Sequence, residues 1–256
     1  MPTLTVIIAA KNEAANIADC VRSARFADEV LVLDSGSTDG TPELAAAEGA
    51  RVVATDWPGY GPQQARGIAM ARGDWVLSLD ADERIGEELR KEILQAIGSG
   101  AADGYRLPRL SSFCGQFIHH SGWRPDYTLR LVRREKAGFT AHFLHAHMTV
   151  DGSTRDLRHS LVHYSYRDLD DVLEKLNRYS SGGARDLHER GRSGSLSKAV
   201  THGLWAFVRT YLVRQGFRDG RQGFILAVYN GEMAFYKYLK LAALQRAPAD
   251  RDPPRP

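Results

Sequence analysis

The sequence predicts an α/β chain, an open and mostly parallel sheet flanked by helices, with a helical extension behind it. Three observations carry this expectation. Short apolar runs alternate with amphipathic helical stretches through residues 3–97. The apolar runs are rich in β-branched residues and hardly alternate, as strands covered on both faces require. From Tyr166 onward the apolar spacing becomes that of helices.

Residues 3–9 form the first near-continuous aliphatic run. Ile17, Cys20, Val21 and Ala24 then share one face of a helix over residues 14–24. A second strand over 29–33 ends at Asp34, and the turn-rich Ser35-Gly36-Ser37-Thr38-Asp39-Gly40 leads to Pro42 in a first helical turn. A helix over 42–48, a third strand over 51–54, a helix over 63–71 and a fourth strand over 74–79 follow. Strand and helix alternating at these spacings give right-handed crossovers in one sheet. A helix over 87–97 is stopped by Gly98-Ser99-Gly100, and short strand-like pieces rich in aromatic and histidine residues fill 111–163. Three helices are expected over 166–179, 196–214 and 224–243, the first followed by a flexible Ser180-Ser181-Gly182-Gly183 stretch.

The domain reading is therefore a sheet domain over 1–165, a helical extension over 166–245 and a disordered, proline-rich tail over 246–256. Within the first, 1–100 and 101–165 form two parts. A chain of 256 residues with 43% hydrophobic and 25% charged residues has the composition of a soluble globular protein. Net charge is only +3, which gives no argument for nucleic acid. Arginine is concentrated beyond Gly104, above all over 178–221, and such a field suits an anionic partner or a solvated basic face. Two cysteines, Cys20 and Cys114, make neither a zinc pattern nor a disulfide framework. Lys11, Asn12 and Glu13 interrupt the first apolar run, so no signal peptide is expected, and no later run reaches the roughly 20 residues of a membrane span.

Chemistry is concentrated where strands end, because ligands of open α/β sheets bind beyond the carboxyl ends. Asp80-Ala81-Asp82 follows the buried Val76-Leu77-Ser78-Leu79 directly. Two carboxylates turned to one cavity suit Mg²⁺ or Mn²⁺, which keep waters and take phosphate oxygens as further ligands. Alone, such a triplet is most often a surface turn; its place after a buried strand favours the metal. Glu83 is read as a charge at the start of the next helix, with a third acidic contact as the alternative. Asp34 can accept a hydrogen from a base or ribose, with a ligand-free turn as the alternative; Glu13 can accept ribose hydroxyls, and Arg66 is a candidate contact to base or phosphate or an ordinary surface arginine on its helix. Asn12 and Asp39 hold the loops.

The runs Val6-Ile7-Ile8-Ala9-Ala10-Lys11-Asn12-Glu13, Leu33-Asp34-Ser35-Gly36-Ser37-Thr38-Asp39, Ala65-Arg66-Gly67 and Gly73-Asp74-Trp75-Val76-Leu77-Ser78-Leu79-Asp80-Ala81-Asp82-Glu83 together resemble family 2 glycosyltransferases. The resemblance implies a GT-A fold, a nucleotide-sugar donor and inversion at the anomeric carbon. It assigns Glu13, Asp34 and Arg66 to the nucleoside, and Asp80 and Asp82 to ribose, diphosphate and metal. Gly67 stands where an asparagine is commoner.

Gly122-Trp123-Arg124-Pro125-Asp126, Leu129-Arg130-Leu131, His163-Tyr164-Ser165-Tyr166 and Gly216-Phe217-Arg218-Asp219-Gly220 resemble the lipopolysaccharide core β-1,4-glucosyltransferase subfamily. That resemblance implies transfer of a hexose, usually glucose from UDP-glucose, to a heptose or similar sugar of a lipid-linked bacterial glycan; the reading preferred here adds a cytoplasmic enzyme peripheral to the inner membrane. The chain departs from it at Leu144-His145-Ala146, where the subfamily often has Val-His-Glu. Inverting transfer needs a base beside the attacking hydroxyl. Asp126 is the first candidate, beside Trp123 and Pro125, and His145 the second, with His142 and His147 nearby. Trp205, Phe207 and Tyr211 among Arg209, Arg214 and Arg218 suit an anionic membrane surface, or a helix with a solvated basic rim. Two other readings stand beside this one: transfer to a soluble glycan or protein, and a non-catalytic nucleotide-sugar or glycan-binding protein.

Overall fold

The first apolar run forms β1 (Leu4–Ala10), the central strand of a sheet. On one side of it lies β2 (Glu29–Asp34) with β3 (Arg51–Ala54) outside; on the other lies β4 (Trp75–Asp80), and all four are parallel. The computed structural model describes residues 2–139 and 147–245. The tail read as disordered and the His142–Ala146 stretch, with the base candidate His145, are outside the described residues.

The connecting helices are α1 (Ile17–Ala24), α2 (Thr41–Ala47) and α3 (Tyr60–Met70). Helix α1 buries Ile17, Cys20, Val21 and Ala24, the face its spacing predicts. In β1, Val6 and Ile8 enter one hydrophobic cluster while Ile7, with Leu31, Leu33 and Val76, enters another. Both faces of the sheet are thus covered, which is why the strands read as continuous apolar runs. Full burial of each such aliphatic side chain contributes about 1.5–3 kcal/mol. A Cβ on Gly73 would lie 2.7 Å from the Thr5 backbone nitrogen, so glycine alone fits where the chain enters β4.

The chain moves outward from β1 to β3 and then returns to the far side of β1. That reversal is a topological switch point, and it opens a crevice at the carboxyl ends of the strands. Register fixes what stands there: Asp34 pairs with Ala10 and Asp80 with Ala9. Two strand spacings, about 10 Å, separate the acids along one edge of the sheet.

After β4 come β5 (Glu83–Arg84), α4 (Glu87–Ser99), β6 (Gly104–Phe113), β7 (Gln116–Phe117) and β8 (Tyr127–Arg133). Next are β9 (Ala137–Phe139), β10 (Met148–Val150), β11 (Thr154–Asp156) and β12 (Leu161–Tyr166). Strand β8 pairs antiparallel with β4, and the sheet order is β3-β2-β1-β4-β8-β6-β12-β5. Strands β9 and β10 pair separately as an antiparallel ribbon.

The chain divides into two units, Met1–Leu110 with Pro125–Tyr164, and Ser111–Arg124 with Ser165–Pro256. The second contains α5 (Leu169–Glu189), α6 (Leu196–Val208) and α7 (Gly220–Leu244). Its core joins Phe113 and Ile118 to Tyr166, Val172, Leu176, Leu226 and Tyr229. Asp168 caps α5 by accepting the Asp171 N–H, and Ser195 caps α6 in the same way from Lys198. The expectation of a flexible break at residues 180–183 is corrected: α5 runs through it. Ser180 is buried, the Lys240 Nζ donates to the Ser180 and Ser181 hydroxyls at 2.8 Å each, and a Cβ on Gly183 would meet the Lys237 side chain at 2.9 Å. The small residues admit α7 rather than loosen the chain. Helix α6 also stops short of the predicted end and passes into a wide π turn over Arg209–Val213.

Candidate active site

Two loops at the carboxyl edge are tied together by backbone hydrogen bonds to side chains. Asn12, at φ +56°, accepts the Thr38 N–H with its side-chain oxygen and donates its own N–H to the Ser37 hydroxyl. Glu13 N–H donates to the Thr41 hydroxyl and Ala14 N–H to Asp39, which also accepts from Thr41. These are the holding roles expected of Asn12 and Asp39. The Glu13 carboxylate accepts from the Asn16 amide at 2.9 Å.

Asp34 stands at the centre of this frame. Its Oδ2 accepts the N–H groups of Gly36 and Ser37 at 3.1 Å each. Its Oδ1 is buried and has no hydrogen-bond partner. An unpaired buried acceptor costs roughly 1–3 kcal/mol, so the arrangement fits a ligand that brings a donor. Arg66 reaches toward the same loop through one intermediary: it donates to Gln63 Oε1 at 3.1 Å, and the Gln63 amide donates to the Ser35 hydroxyl at 3.0 Å. Arg66 also pairs with Asp56 at 2.8 Å. A Cβ on Gly67 would sit 3.1 Å from Ile7 and 3.2 Å from Leu33, so a larger residue here meets packed core.

At the end of β4 the structure assembles a cluster of charges. Antiparallel pairing with β4 carries β8 past the acidic turn, and Arg130 Nη2 donates to Asp80 Oδ2 at 2.5 Å and to Glu83 Oε1 at 2.9 Å. Glu83 Oε2 accepts the Asp80 N–H at 2.9 Å, which closes the turn on itself. Arg109 lies 3.9 Å from Glu83 and donates to Asp126 Oδ2 through Nε at 2.9 Å and Nη2 at 2.7 Å. A chain of alternating charge therefore runs from Asp80 through Arg130, Glu83 and Arg109 to Asp126. Asp82 stands beside it, with its Oδ2 3.5 Å from His163 Nε2 and its carbonyl accepting the Tyr164 N–H.

The electrostatics follow from burial and the two guanidinium groups. Burial pushes the Glu83 carboxyl up to about 7, against the pull of Arg130. Burial also opposes charge on Asp80, but Arg130 prevails and holds it below the ordinary carboxylate range. Burial works against the Arg130 charge as well, and Asp80 and Glu83 outweigh it.

The expected role of Glu83 is corrected here: it is a fully buried ion-pair partner inside β5 and does not serve the start of α4. Arg109 and Arg130 were not singled out as site residues by sequence reasoning. The available signal was an arginine flanked by two leucines in Leu129-Arg130-Leu131, an odd charge for a strand beside the core. The structure brings Asp80, Asp82 and Asp126 into one neighbourhood, and Glu13, Asp34 and Arg66 into another along the same edge. Among the described residues no group of three or more Asp, Glu, His or Cys side chains is gathered to hold a metal unaided. A cleft of about 640 Å³ opens at the opposite end of the strands near Thr5, Asp28 and Gly73. Its Glu29 is already paired with Arg51 at 2.9 Å.

The model of the family described as "Glycosyl transferase family 2" matches residues 5–155, more than half the chain and all the acids above. The chain belongs to glycosyl transferase family 2. As a member it is a sugar-transfer enzyme of GT-A fold with a C-terminal helical extension. An uncharacterized glycosyltransferase of Rickettsia felis is 30% identical over 96% of this chain and 91% of its own length. The lipopolysaccharide core biosynthesis glycosyltransferase LpsC of Rhizobium meliloti is 29% identical over 93% of this chain and 91% of its own. Glucosyl-3-phosphoglycerate synthase from Mycobacterium tuberculosis, solved with Mn²⁺, UDP and glucosyl-3-phosphoglycerate, is 31% identical over 44% of this chain and 45% of its own. Its TM-score of 0.37 is too low to add to the assignment.

Proposed function

We propose that this chain is an inverting, metal-dependent hexosyltransferase that takes glucose from UDP-glucose and adds it to a lipid-linked bacterial envelope glycan such as lipopolysaccharide core, at the cytoplasmic face of the inner membrane. The observation that carries the donor half is the buried, unpartnered Asp34 Oδ1 at the switch point. A uracil N–H is a donor of the kind that atom lacks. Glu13 would take ribose hydroxyls, and Arg66, anchored through Gln63, would face base or phosphate. The acceptor half leans on the name of the Rhizobium relative and on the likeness to the lipopolysaccharide core subfamily.

The residues fit a divalent cation that completes its shell with substrate oxygens. Asp82 offers a carboxylate next to an imidazole, whereas Asp80 Oδ2 is held by Arg130, so Asp82 would be the principal protein ligand and Asp80 the secondary one. Mg²⁺ or Mn²⁺ held there supplies positive charge against the leaving diphosphate. Asp126 is the proposed base for the acceptor hydroxyl. Since Arg109 holds its Oδ2 twice, the proton would be taken at Oδ1.

Asp34→Asn tests the donor site. Asparagine has one acceptor oxygen; if the Gly36 and Ser37 N–H groups keep it, an amide N–H meets the base donor to donor. UDP should raise the Tm of the native chain, and the variant should bind UDP about tenfold more weakly or worse. Unchanged UDP protection in the variant, or protection by another nucleotide but none by UDP, would overturn the donor assignment. For the base, single-turnover transfer by Asp126→Asn is expected to slow by roughly 100-fold or more with donor and acceptor still bound. Loss confined to His145→Gln would transfer the role to the histidine.

A further inference from the structure

We propose that the α6–α7 end of the helical unit is a docking surface for an anionic lipid bilayer. Leu204, Trp205, Leu212, Val213 and Phe217 are 64%, 57%, 56%, 63% and 51% exposed. Isolated exposed apolar side chains need no explanation, but several of them within one short stretch of chain, here residues 204–217, mark a contact surface. Here they adjoin a preassembled aromatic group. Tyr211 lies 5.8 Å from Phe207, 5.5 Å from Phe224 and 6.3 Å from Phe217, centroid to centroid. The π turn over Arg209–Val213, the left-handed Gln215 at φ +57° and a short 3-10 turn over Gly216–Asp219 reverse the chain between α6 and α7. Leu212, Val213 and Phe217 therefore stand at the tip of a helical hairpin, and Leu204 and Trp205 on the turns of α6 that lead to it. Such amphipathic tips enter the head-group region of a membrane, and tryptophan and tyrosine favour its interface.

Charge selects the occupant. Residues 190–231 hold seven lysines and arginines and one acid, Asp219. Asp219 is withdrawn from the surface: it is buried and accepts the His119 and His120 N–H groups and the Ser121 hydroxyl. Arg209, Arg214, Arg218 and Arg221 are exposed cations around the apolar tip, Arg214 also donating to the Gly122 carbonyl at 3.2 Å. A second copy of the chain would bring like charges together across a two-fold axis, whereas an anionic bilayer complements both features. No helix among the described residues is long and apolar enough to cross a membrane, so the contact is interfacial. This surface extends the proposed lipid-linked acceptor, yet binding is read without transfer, so either can fail alone.

The experiment is flotation of the full chain with vesicles of phosphatidylcholine alone and of phosphatidylcholine with phosphatidylglycerol. Binding should require the anionic lipid and fall in about 0.5 M salt. The Arg209→Gln, Arg218→Gln, Arg221→Gln triple variant should bind on the order of 100-fold more weakly. A second variant, Leu204→Ser with Leu212→Ser and Phe217→Ser, should lose binding at unchanged charge and unchanged Tm. Brominated lipids should quench tryptophan emission in the parent and not in Trp205→Phe. Equal binding to neutral and anionic vesicles, no binding, or dimerisation through this face in light scattering would overturn the proposal.

Discussion

In the Asp82→Ala variant, metal-supported sugar transfer is expected to fall roughly 100- to 1,000-fold, the range seen when one preorganised electrostatic contact to a transition state is removed. Tm should hardly move. The backbone of Asp82 is fixed by its carbonyl, which accepts the Tyr164 N–H, while its carboxylate lies 3.5 Å from His163 and adds to the field that keeps Arg130 charged. The direct partners of the buried Arg130 are Asp80 and Glu83, and both remain in the variant. The measurement is initial-rate transfer from UDP-glucose against Mn²⁺ concentration, with a thermal melt of the same sample. Unchanged rate and unchanged Mn²⁺ dependence would remove Asp82 from the mechanism.

Arg130→Leu should act in the opposite way, through stability. Glu83 has no exposed surface, and Arg130 is its nearest cation at 2.9 Å. Removing one partner of a buried pair costs about 3–5 kcal/mol, because the remaining charge is unsolvated and here keeps only Arg109, at 3.9 Å, as a cation. For a chain of this size that corresponds to a fall in Tm on the order of 10 °C. Adding Glu83→Gln should return much of the lost stability, since the uncompensated charge goes with it, while Asp80 still lacks its anchor. Transfer should therefore stay low in the stable double variant. If Arg130→Leu melts with the parent, the cluster contributes no net stability; if the double variant transfers normally, Arg130 has no part in positioning Asp80.

The two variants separate what was legible in the sequence from what was not. Asp34 and Asp80 were legible because each ends a mostly apolar run, and a strand of known direction sends its last residue to a known edge. Asn12 and Asp39 were legible for a similar local reason, since their side chains hold loops adjacent in the first crossover. Arg130 was not, because it meets Asp80 from 50 residues away, through an antiparallel register that no local pattern specifies. Glu83 was misread for the same cause: beside α4 in sequence it resembles a helix-start charge, and only β8 reveals it as a buried partner. The Ser180–Gly183 stretch shows the limit of propensity itself. Small polar residues loosen an isolated helix, yet here their size admits the Lys237 and Lys240 side chains of α7.

The path of the chain between its two units constrains how the protein can be divided. The polypeptide leaves the sheet unit after Leu110, returns at Pro125 and leaves again after Tyr164. Residues 111–124 are therefore an excursion that belongs structurally with helices encoded far downstream. Phe113 rests on Tyr166 and Tyr229, and the backbone at His119 and His120 hangs from Asp219. Truncation after Tyr164 would strip that excursion of its hydrophobic partners and its carboxylate anchor, leaving aromatic surface open to aggregation. The helical unit is thus not a detachable module. Any chimera meant to exchange it between relatives must graft two separate segments at once, and recombination at a single crossover would produce a mismatched hybrid.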